Sequence, residues 1–377
     1  FIFFFFFLFD TQKINSTITN TAVITCAISK TRYKLVKKPP EKFIKSLQLD
    51  LFSQFVTNDQ SQVSNTIELW ERIPKYFFTA KQVEKLRTID GLAEPYEWAY
   101  TENGNEYTVS IQPALIKQKD RKYKAFFPGV TEELIEEALK KIFSDQQYAI
   151  HDPEKTESWI RFTLGMIQKA LKTKGRSRSI DEIKQGINVM SSCLLTFSKG
   201  GKELWRGAIL QDLVTVGREE YLASTDNHHI ARLPLFISHS INNLDYRQFN
   251  YDRLMSCNEQ LTRWLYKRLI NRFTQASPIT EYSCMYSDIK QSSGLLQQAR
   301  EIDNRRKIGL AFSELKQKGI ILCYEMDERK TGRAITDVKY TIKATPQFIK
   351  EQIASNKRTT DIRTIAQKSG IRVIKKT

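Results

Sequence analysis

The chain has 377 residues, which is more than one typical domain and enough for two or three. Its 59 Lys and Arg residues against 42 Asp and Glu residues give a formal charge of +17, so a polyanion is its natural partner. Hydrophobic residues make up 41% and aromatic residues 11%, which argues against a disordered chain, and 15 Gly with 10 Pro exclude collagen-like and low-complexity classes.

The cysteines and the first nine residues bear on compartment and membrane association. The five cysteines are scattered and form no CxxC pair, which predicts neither a zinc site nor a disulfide framework and is typical of reduced cytoplasmic thiols. The apolar run Phe1–Phe9 is well short of the ~20 residues that span a bilayer, and it lacks the basic region of a signal peptide. We interpret it as a wrongly assigned start or the edge of a fragment and expect no membrane association, a membrane anchor being the minor alternative.

Composition divides the chain into five segments. Residues 1–66 are rich in Thr, Asn, Ser, Gln and Lys, so we expect a mobile or wrongly assigned N-terminal extension with a short helix around Phe43–Phe55. Residues 67–128 carry clustered aromatics and alternating apolar positions, which predict a small β-containing lead-in segment. The remaining segments are a first unit at 129–254, a second unit at 255–345 and a basic C-terminal tail at 346–377.

Helices dominate the first unit, and a β-hairpin follows them. Thr131 precedes acidic residues and an apolar set at helical spacing, and a second helix is predicted over residues 159–175. Ser179 and Glu182 form a capping box that opens a third helix. Strands on either side of the turn 199–202 then predict a hairpin.

The second unit shows the same order of elements. Ser256 and Glu259 form another capping box, and two further helices are predicted at Tyr286–Ser292 and Gln297–Lys318. A hairpin with a basic turn at residues 329–333 follows them. Three helices followed by a two-stranded hairpin is the order of a winged helix. The predicted fold class is therefore α+β and helix-rich, with two tandem winged-helix domains behind an N-terminal extension.

The surface chemistry of the second unit suits duplex DNA. On its longest helix, Ile308, Phe312 and Leu315 recur at core spacing, which leaves the polar positions for other faces. A helix fits the major groove, where Arg and Lys read guanine and Asn reads adenine, while a basic hairpin tip lies over phosphates or reaches a minor groove. The alternative is a solvated charged face. The predicted DNA-binding residues of this unit are Arg300, Asn304, Arg305, Arg306, Lys307, Arg329, Lys330 and Arg333.

The first unit carries fewer candidate DNA contacts. Arg176 and Arg178 precede its capped helix, where free backbone N–H groups also suit phosphate, and Lys199 and Lys202 mark its hairpin. These four residues are predicted DNA contacts. Acidic residues in the first turn of the helix are ordinary compensation of the helix dipole. Two roles therefore stay open for the first unit: direct contact with DNA, or contact mainly with protein.

Motifs of catalysis and cofactor binding are missing from the sequence. It contains no GxxxxGK[ST], GxSxG, HExxH or GxGxxG. Its four histidines include no His-hydrophobic-His pair of the kind that a metal-dependent nicking enzyme uses, and the adjacent His228 and His229 are more typical of an exposed loop than of a metal site. We expect a protein that is not an enzyme, with no catalytic residues, no cofactor and no metal.

Over roughly residues 67–345 the chain resembles bacterial plasmid replication initiator (Rep) proteins with tandem winged helices. The resemblance rests on strings of core and helix-boundary residues in a fixed order, which include ELWERIPKYFF, RFTLGMIQKALKTKGRSRSIDEIKQGINVMSS, LPLFISHSINNLDYRQFNYDRLMSCNEQLTRWLYKRLINRF and NRRKIGLAFSELKQKGIILCYE. It implies binding to repeated sites in a plasmid origin, melting of neighbouring A·T-rich DNA and recruitment of the host initiator and replicative helicase. It also implies major-groove contacts from the second winged helix, at Arg300, Asn304, Arg305 and Lys307 here.

The expected function is therefore plasmid replication initiation. The expected partners are double-stranded plasmid origin DNA, the host replication initiator and the replicative helicase, in the bacterial cytoplasm with plasmid or nucleoid, and a homodimer is left open. A winged-helix transcriptional or copy-control repressor is the main alternative, since it would bind similar DNA without melting it. A rolling-circle nicking enzyme is a third alternative, and the missing His pair speaks against it.

Overall fold

The computed structural model describes residues 46–55, 62–102, 104–217 and 228–371, which all belong to the unit Lys45–Thr377. The expectations for the apolar run Phe1–Phe9 and for Cys26 lie outside these residues. Among the described residues, no helix combines the length and hydropathy that crossing a membrane requires. The structure is a mixed α/β arrangement of helices and several small sheets.

The first described elements are helix α1 (Leu47–Ser53) and strand β1 (Val63–Thr66). The Ser46 hydroxyl caps α1 by accepting from the Leu49 N–H, and the apolar side chains Leu49, Leu51 and Phe52 are buried. The short helix predicted around 43–55 is present. The prediction of a mobile arm up to residue 66 is wrong for the described part, because its apolar residues lie in the core.

Residues 68–126 form the β-containing lead-in segment that the clustered aromatic residues and the alternating apolar positions predict for residues 67–128. Its helices and strands are α2 (Glu68–Glu71), α3 (Ala80–Leu86), β2 (Tyr96–Glu102), β3 (Asn105–Gln112), β4 (Ala114–Lys117) and β5 (Tyr123–Phe126). On β3 the buried residues are Val109 and Ile111, in line with the alternating pattern. Strands β4 and β5 pair antiparallel, and the basic residues Lys119, Arg121 and Lys122 between them lie in an exposed turn.

The first unit opens with helix α4 (Val130–Phe143), strands β6 (Ala149–Asp152) and β7 (Glu157–Phe162), and helix α5 (Leu164–Thr173). Helix α4 begins after Gly129 rather than at Thr131, because the Glu132 carboxylate accepts the Gly129 N–H at 2.7 Å. The prediction of one helix over 159–175 is wrong in its first part. That part belongs to β7, in which alternate residues are buried, and Thr163 caps α5.

The rest of the first unit contains the predicted capped helix and hairpin. Its elements are α6 (Ile180–Ser192), β8 (Leu194–Lys199), β9 (Lys202–Gly207), β10 (Gln211–Val214), β11 (His229–Arg232) and α7 (Leu235–Asn242). The Ser179–Glu182 capping box is confirmed by reciprocal side-chain to backbone hydrogen bonds. Strand β8 pairs with both β3 and β9, so the sheet β2–β3–β8–β9 joins the lead-in segment to this unit, and β10–β11–β7–β6 is a second sheet.

Strand β12 (Arg247–Asn250) and helices α8 (Tyr251–Ser256) and α9 (Gln260–Arg272) lead into the second unit. Strand β12 pairs antiparallel with β1. The prediction of a Ser256–Glu259 capping box is wrong, because Ser256 ends α8 and its hydroxyl donates to the Arg253 carbonyl at 2.8 Å. Glu259 is itself the residue before α9, and its side chain forms no capping hydrogen bond.

The second unit continues as a strand, two helices and a long hairpin. These elements are β13 (Glu281–Met285), α10 (Tyr286–Ser293), α11 (Glu301–Gln317), β14 (Ile321–Thr331) and β15 (Ala334–Ala344). Both predicted helices and the hairpin are confirmed, and the three strands form a sheet in the order β13–β15–β14. The sheet and α11 pack around Phe312, whose ring lies 4.9 Å from Tyr324 and 5.2 Å from Tyr340.

The last described element is helix α12 (Pro346–Lys368), where a basic tail is predicted. The tail prediction is wrong for this stretch, since Phe348 and Ile362 are buried. Arg358, also buried, donates hydrogen bonds to the carbonyls of Gln54 (2.6 Å), Leu51 and Phe52 and to the Asn65 side chain. We call this set of contacts the Arg358 clasp; it joins α12 to α1 and β1.

Helix α4 of the first unit and helix α9 of the second meet through buried charged side chains. Arg263 forms a two-pronged ion pair with Glu133, with distances of 3.1 and 2.7 Å. The Lys267 ammonium lies 2.6 Å from Glu71 and 3.0 Å from Glu137, and Lys140 contacts the same two carboxylates. We call these six residues the ionic interface. Because these charges are buried, the contact between α4 and α9 is stable only if each charged side chain has a partner of opposite charge.

Candidate nucleic-acid interface

Helix α11 presents one face to the core and another to solvent. Ile308, Phe312 and Leu315 are buried as their spacing predicts. The opposite stripe, which we call the outer face of α11, follows from the same helical spacing. It is formed by Ile302, Arg306, Gly309, Leu310, Ser313 and Lys316.

Two of the predicted DNA-binding arginines reach solvent at the start of α11. Arg300 precedes the helix, and its guanidinium pairs with Asp303 at 2.8 Å. Arg306 lies on the outer face, 3.9 Å from Asp303. Both side chains are 77% exposed, and ion pairs this exposed hold a side chain weakly. Both cations are therefore available to a polyanion.

Asn304 is a buried residue and does not face a groove. It is 0% exposed, its Oδ1 accepts from the Gln298 N–H at 2.9 Å, and its Nδ2 donates to the Gln298 carbonyl at 3.1 Å. The side chain closes the loop that leads into α11. The prediction that Asn304 reads adenine therefore conflicts with its position. The sequence already indicated burial, because positions 304, 308 and 312 share one helical face.

Lys307 and Arg305 lie along the flanks of α11. The Lys307 ammonium donates to the Leu295 carbonyl at 3.0 Å, and burial lowers its pKa although Glu259 acts in the opposite direction. The Arg305 guanidinium lies 6.0 Å from the centre of the Tyr286 ring, and the side chain is partly buried. Of the predicted residues on this helix, only Arg306 therefore lies on its outer face.

The hairpin β14–β15 projects a basic tip. Every residue from 325 to 334 is exposed, and Gly332 supplies the left-handed backbone of the turn at φ +62°. Arg329, Lys330 and Arg333 lie here, with Lys330 2.8 Å from Glu328. The carboxylates of the hairpin are Glu325, Asp327 and Glu328 on β14, which precede the tip, and Asp337 on β15, which pairs with Arg329. Residues 329–334, at the tip itself, carry three cations and no carboxylate.

The hairpin is fixed to helix α10 beside it through Asp337, the residue of β15 that pairs with Arg329. The Asp337 carboxylate accepts from the N–H and the hydroxyl of Ser287, at 3.1 and 2.6 Å, at the start of α10. Because strand β15 pairs with both β13 and β14, the hairpin emerges from a sheet rather than from a free loop. The basic tip is thus held at a set distance from α11.

The arginines predicted as phosphate contacts in the first unit are engaged within the protein. Arg176 donates to the carbonyls of Met255 (2.9 Å) and Cys257, and burial lowers the pKa of its guanidinium. Arg178 donates to the carbonyl of Ser177 at 2.9 Å and reaches the Thr131 hydroxyl at 3.4 Å. These contacts tie the start of α6 to its surroundings. Arg176 is therefore poorly placed for DNA.

The hairpin lysines of the first unit, which are predicted DNA contacts, are exposed. Lys199 and Lys202 flank the two-glycine turn between β8 and β9, and the Lys199 ammonium lies 5.9 Å from the centre of the Tyr107 ring. The outward polar face of α6, with Lys184, Gln185 and the half-buried Asn188, was not predicted as a DNA contact. The signal was the spacing of these residues opposite the buried Ile183 and Ile187.

The described histidines show no metal-site geometry. His151 is buried, with one ring nitrogen 2.9 Å from the Ser158 hydroxyl and the other 2.7 Å from the Asn242 side-chain oxygen. His229 lies in β11, where Nδ1 accepts from the Val216 N–H. Within the described ranges, no group of three or more His, Cys, Asp or Glu residues could hold a metal ion. The chemistry of the surface is that of exposed cations.

Comparison with known proteins gives the following matches. No family model matches the sequence, and no curated protein matches it. Two crystal structures of domains 2 and 3 of RctB are 13% identical and cover 70% and 72% of this chain and 98% and 97% of their own, with TM-scores of 0.40 and 0.41. A crystal structure of the Pi initiator protein in complex with iteron DNA is 11% identical and covers 76% of this chain and 99% of its own, with a TM-score of 0.34.

Proposed function

We propose that this chain is a replication initiator that binds repeated sites in plasmid origin DNA through two winged-helix units, at 129–254 and 255–345. The observation that carries the proposal is in the second unit. There, a helix with exposed cations is followed by a hairpin that is basic at its tip, and both are fixed to one small sheet. That combination suits a helix in the major groove with a hairpin over the adjacent backbone.

In the second unit, α11 is the reading helix. Arg306 on its outer face reads a guanine edge, and Arg300 at its start contacts phosphate. The hairpin tip, with Arg329, Lys330 and Arg333, contacts phosphates or enters a minor groove. Asn304 and Lys307 hold the loop before the helix and so set the position of these contacts.

In the first unit, α6 and the β8–β9 hairpin make the second DNA contact. The helix carries the exposed Lys184 and Gln185 and the half-buried Asn188, after the exposed Asp181 and Glu182 of its first turn. Lys199 and Lys202 contact phosphate from the hairpin. Two units joined through the ionic interface hold two segments of one site in a fixed relation. The energy stored in the bent DNA between them favours melting of the adjacent A·T-rich segment.

The protein acts without catalysis or cofactor, in the bacterial cytoplasm with its plasmid. Melting is followed by recruitment of the host replication initiator and the replicative helicase, and a homodimer is left open. A winged-helix repressor would share the DNA contacts but would not unpair the DNA.

The experiment that tests the proposal has two stages. First, the full chain selects duplexes from a random 30-bp pool, and gel shifts compare the selected duplex with a scrambled one. We expect strong enrichment of one sequence. If no sequence is enriched, specific DNA binding is wrong.

In the second stage, permanganate footprinting is carried out on a supercoiled plasmid that carries tandem copies of the selected site beside an A·T-rich segment. We expect reactive, unpaired thymines in that segment. Protection of the sites without reactive thymines would favour the repressor over the initiator.

A further inference from the structure

The outer face of α11 carries large apolar side chains as well as cations. Ile302 is 62% exposed and Leu310 is 63% exposed, whereas the other large aliphatic residues of the helix are buried. Arg306 lies between them at the same four-residue spacing, so the three side chains form one stripe. With a rise of ~1.5 Å per residue, Ile302 and Leu310 are about 12 Å apart along the helix axis, roughly three to four base-pair steps.

Gly309 adds an independent observation beside Leu310, at one end of this stripe. Glycine in a helix interior is unfavourable relative to alanine. The protein itself does not require it, because a Cβ at Gly309 would meet only the Tyr324 hydroxyl, at an ordinary contact distance of 3.7 Å. The missing side chain leaves the helix backbone open to close approach from outside.

The charges around the stripe indicate what approaches it. Arg300 and Arg306 are both highly exposed, Lys316 continues the outer face, and the hairpin tip adds three more cations. A polyanion with apolar groups of its own complements this surface. In the major groove of DNA, the thymine 5-methyl group is the apolar group that a side chain can contact, and it lies beside the donors and acceptors that Arg reads.

We infer that Ile302 and Leu310 determine sequence specificity by packing against two thymine methyl groups on either side of the base read by Arg306. Gly309 allows the helix to enter the groove closely enough for both contacts. This inference rests on the proposed function, since it requires that α11 be the reading helix. It adds the chemical class of the bases: a guanine flanked by thymines within about four base pairs.

The test replaces each thymine of the selected duplex, one at a time, with deoxyuridine, which removes only the methyl group. Affinity of the full chain is measured by fluorescence anisotropy at constant salt. We expect two thymines at which the change weakens binding by roughly 4-fold, which corresponds to the free energy of burying one methyl group. Ile302→Ala should abolish the effect at one of them and Leu310→Ala at the other.

A matched control is Ile353→Ala, which truncates an aliphatic side chain of similar exposure (58%) on α12. It should leave both the affinity and the uridine effects unchanged. Gly309→Ala should raise the melting temperature of the protein and weaken its binding to the selected duplex.

The outcomes separate the inference from the proposed function. If the selected duplex binds tightly but no uridine substitution changes its affinity, the two apolar residues do not read methyl groups and the inference is wrong while specific binding stands. The inference is equally wrong if both alanine variants keep both uridine effects. If no duplex is selected at all, the proposed function fails and the inference with it.

Discussion

Arg305 and Arg306 are neighbours in the chain but occupy different environments. Arg306 lies exposed on the outer face of α11, whereas Arg305 lies beside the Tyr286 ring. We predict that Arg306→Ala reduces the difference in binding free energy between the selected and the scrambled duplex by about 1–3 kcal/mol, because it removes a guanine contact. Arg305→Ala is the matched control and should have a smaller effect. Gel shifts on selected and scrambled duplexes measure both, and an equal loss on the two duplexes for Arg306→Ala would contradict its role as a reader.

Asn304 is expected to act on stability rather than on base recognition. Asn304→Ala leaves the N–H and carbonyl of Gln298 without their side-chain partner, which costs about 1–3 kcal/mol when such groups are buried. Urea unfolding of the full chain measures this loss. The control Gln317→Ala, exposed on the same helix, should change stability little. A fully stable Asn304→Ala variant with altered base preference would show that Asn304 reads DNA after all.

At the scale of elements, the hairpin β14–β15 should contribute charge rather than sequence information. We predict that replacing both Arg329 and Arg333 with alanine weakens binding to selected and scrambled duplexes alike. It should also reduce the slope of log K against log salt by about 2, since each phosphate contact contributes ~0.9. Lys343→Ala, which removes a cation near the base of the same hairpin, is the control. An unchanged slope in the double variant would place the tip away from phosphate.

Local sequence signals predicted elements well where the residues that decide them are close together. The Ser179–Glu182 capping box and the hairpin turn at Gly332 depend on contacts within a few residues, and both are confirmed. Strand β7 was misread as helix because apolar residues crowd the segment from Trp159 to Ile167. It pairs with β6 in a local hairpin on one side and with β11 on the other, whose partner residues are some 70 positions away.

The helix α12 and its buried face were not predicted from the sequence, for a different reason. It carries Gln352, Ser355 and Arg358, so polar residues interrupt the apolar pattern that indicates an amphipathic helix. Arg358 is buried because its partners are backbone carbonyls near residue 52 and the side chain of Asn65. In the candidate site the spacing rule identified the core face of α11 correctly. Asn304 was nevertheless assigned to DNA because its residue type outweighed its position.

At the scale of the whole molecule, the ionic interface should make stability depend on pH. Burial alone would raise the pKa of Glu71 and Glu137, but the charges of Lys140 and Lys267 outweigh burial and lower both. A carboxylate with a lowered pKa contributes stability that is fully present above its unfolded value near 4.5 and is lost as pH falls through the lower folded value. Stability should therefore fall below about pH 4.5.

The variant Glu71→Gln tests this dependence. It should be less stable at pH 7, because Lys140 and Lys267 then share one carboxylate fewer, and its stability should change less between pH 5 and 3. Urea unfolding across this range measures both effects, with Glu97→Gln on the exposed side of β2 as control. If Glu71→Gln kept the full acid sensitivity of the parent chain, the ionic interface would not be its source.

The Arg358 clasp has a consequence for synthesis of the chain. Arg358 and Gln54 are 304 residues apart in sequence. At a translation rate of roughly 5–20 residues per second, α1 leaves the ribosome some 15–60 s before the guanidinium that holds it is made. During that time Leu51 and Phe52 have no α12 to pack beside, so the nascent segment is a natural target for chaperones, and a helix that is made early is among the last to reach its native contacts.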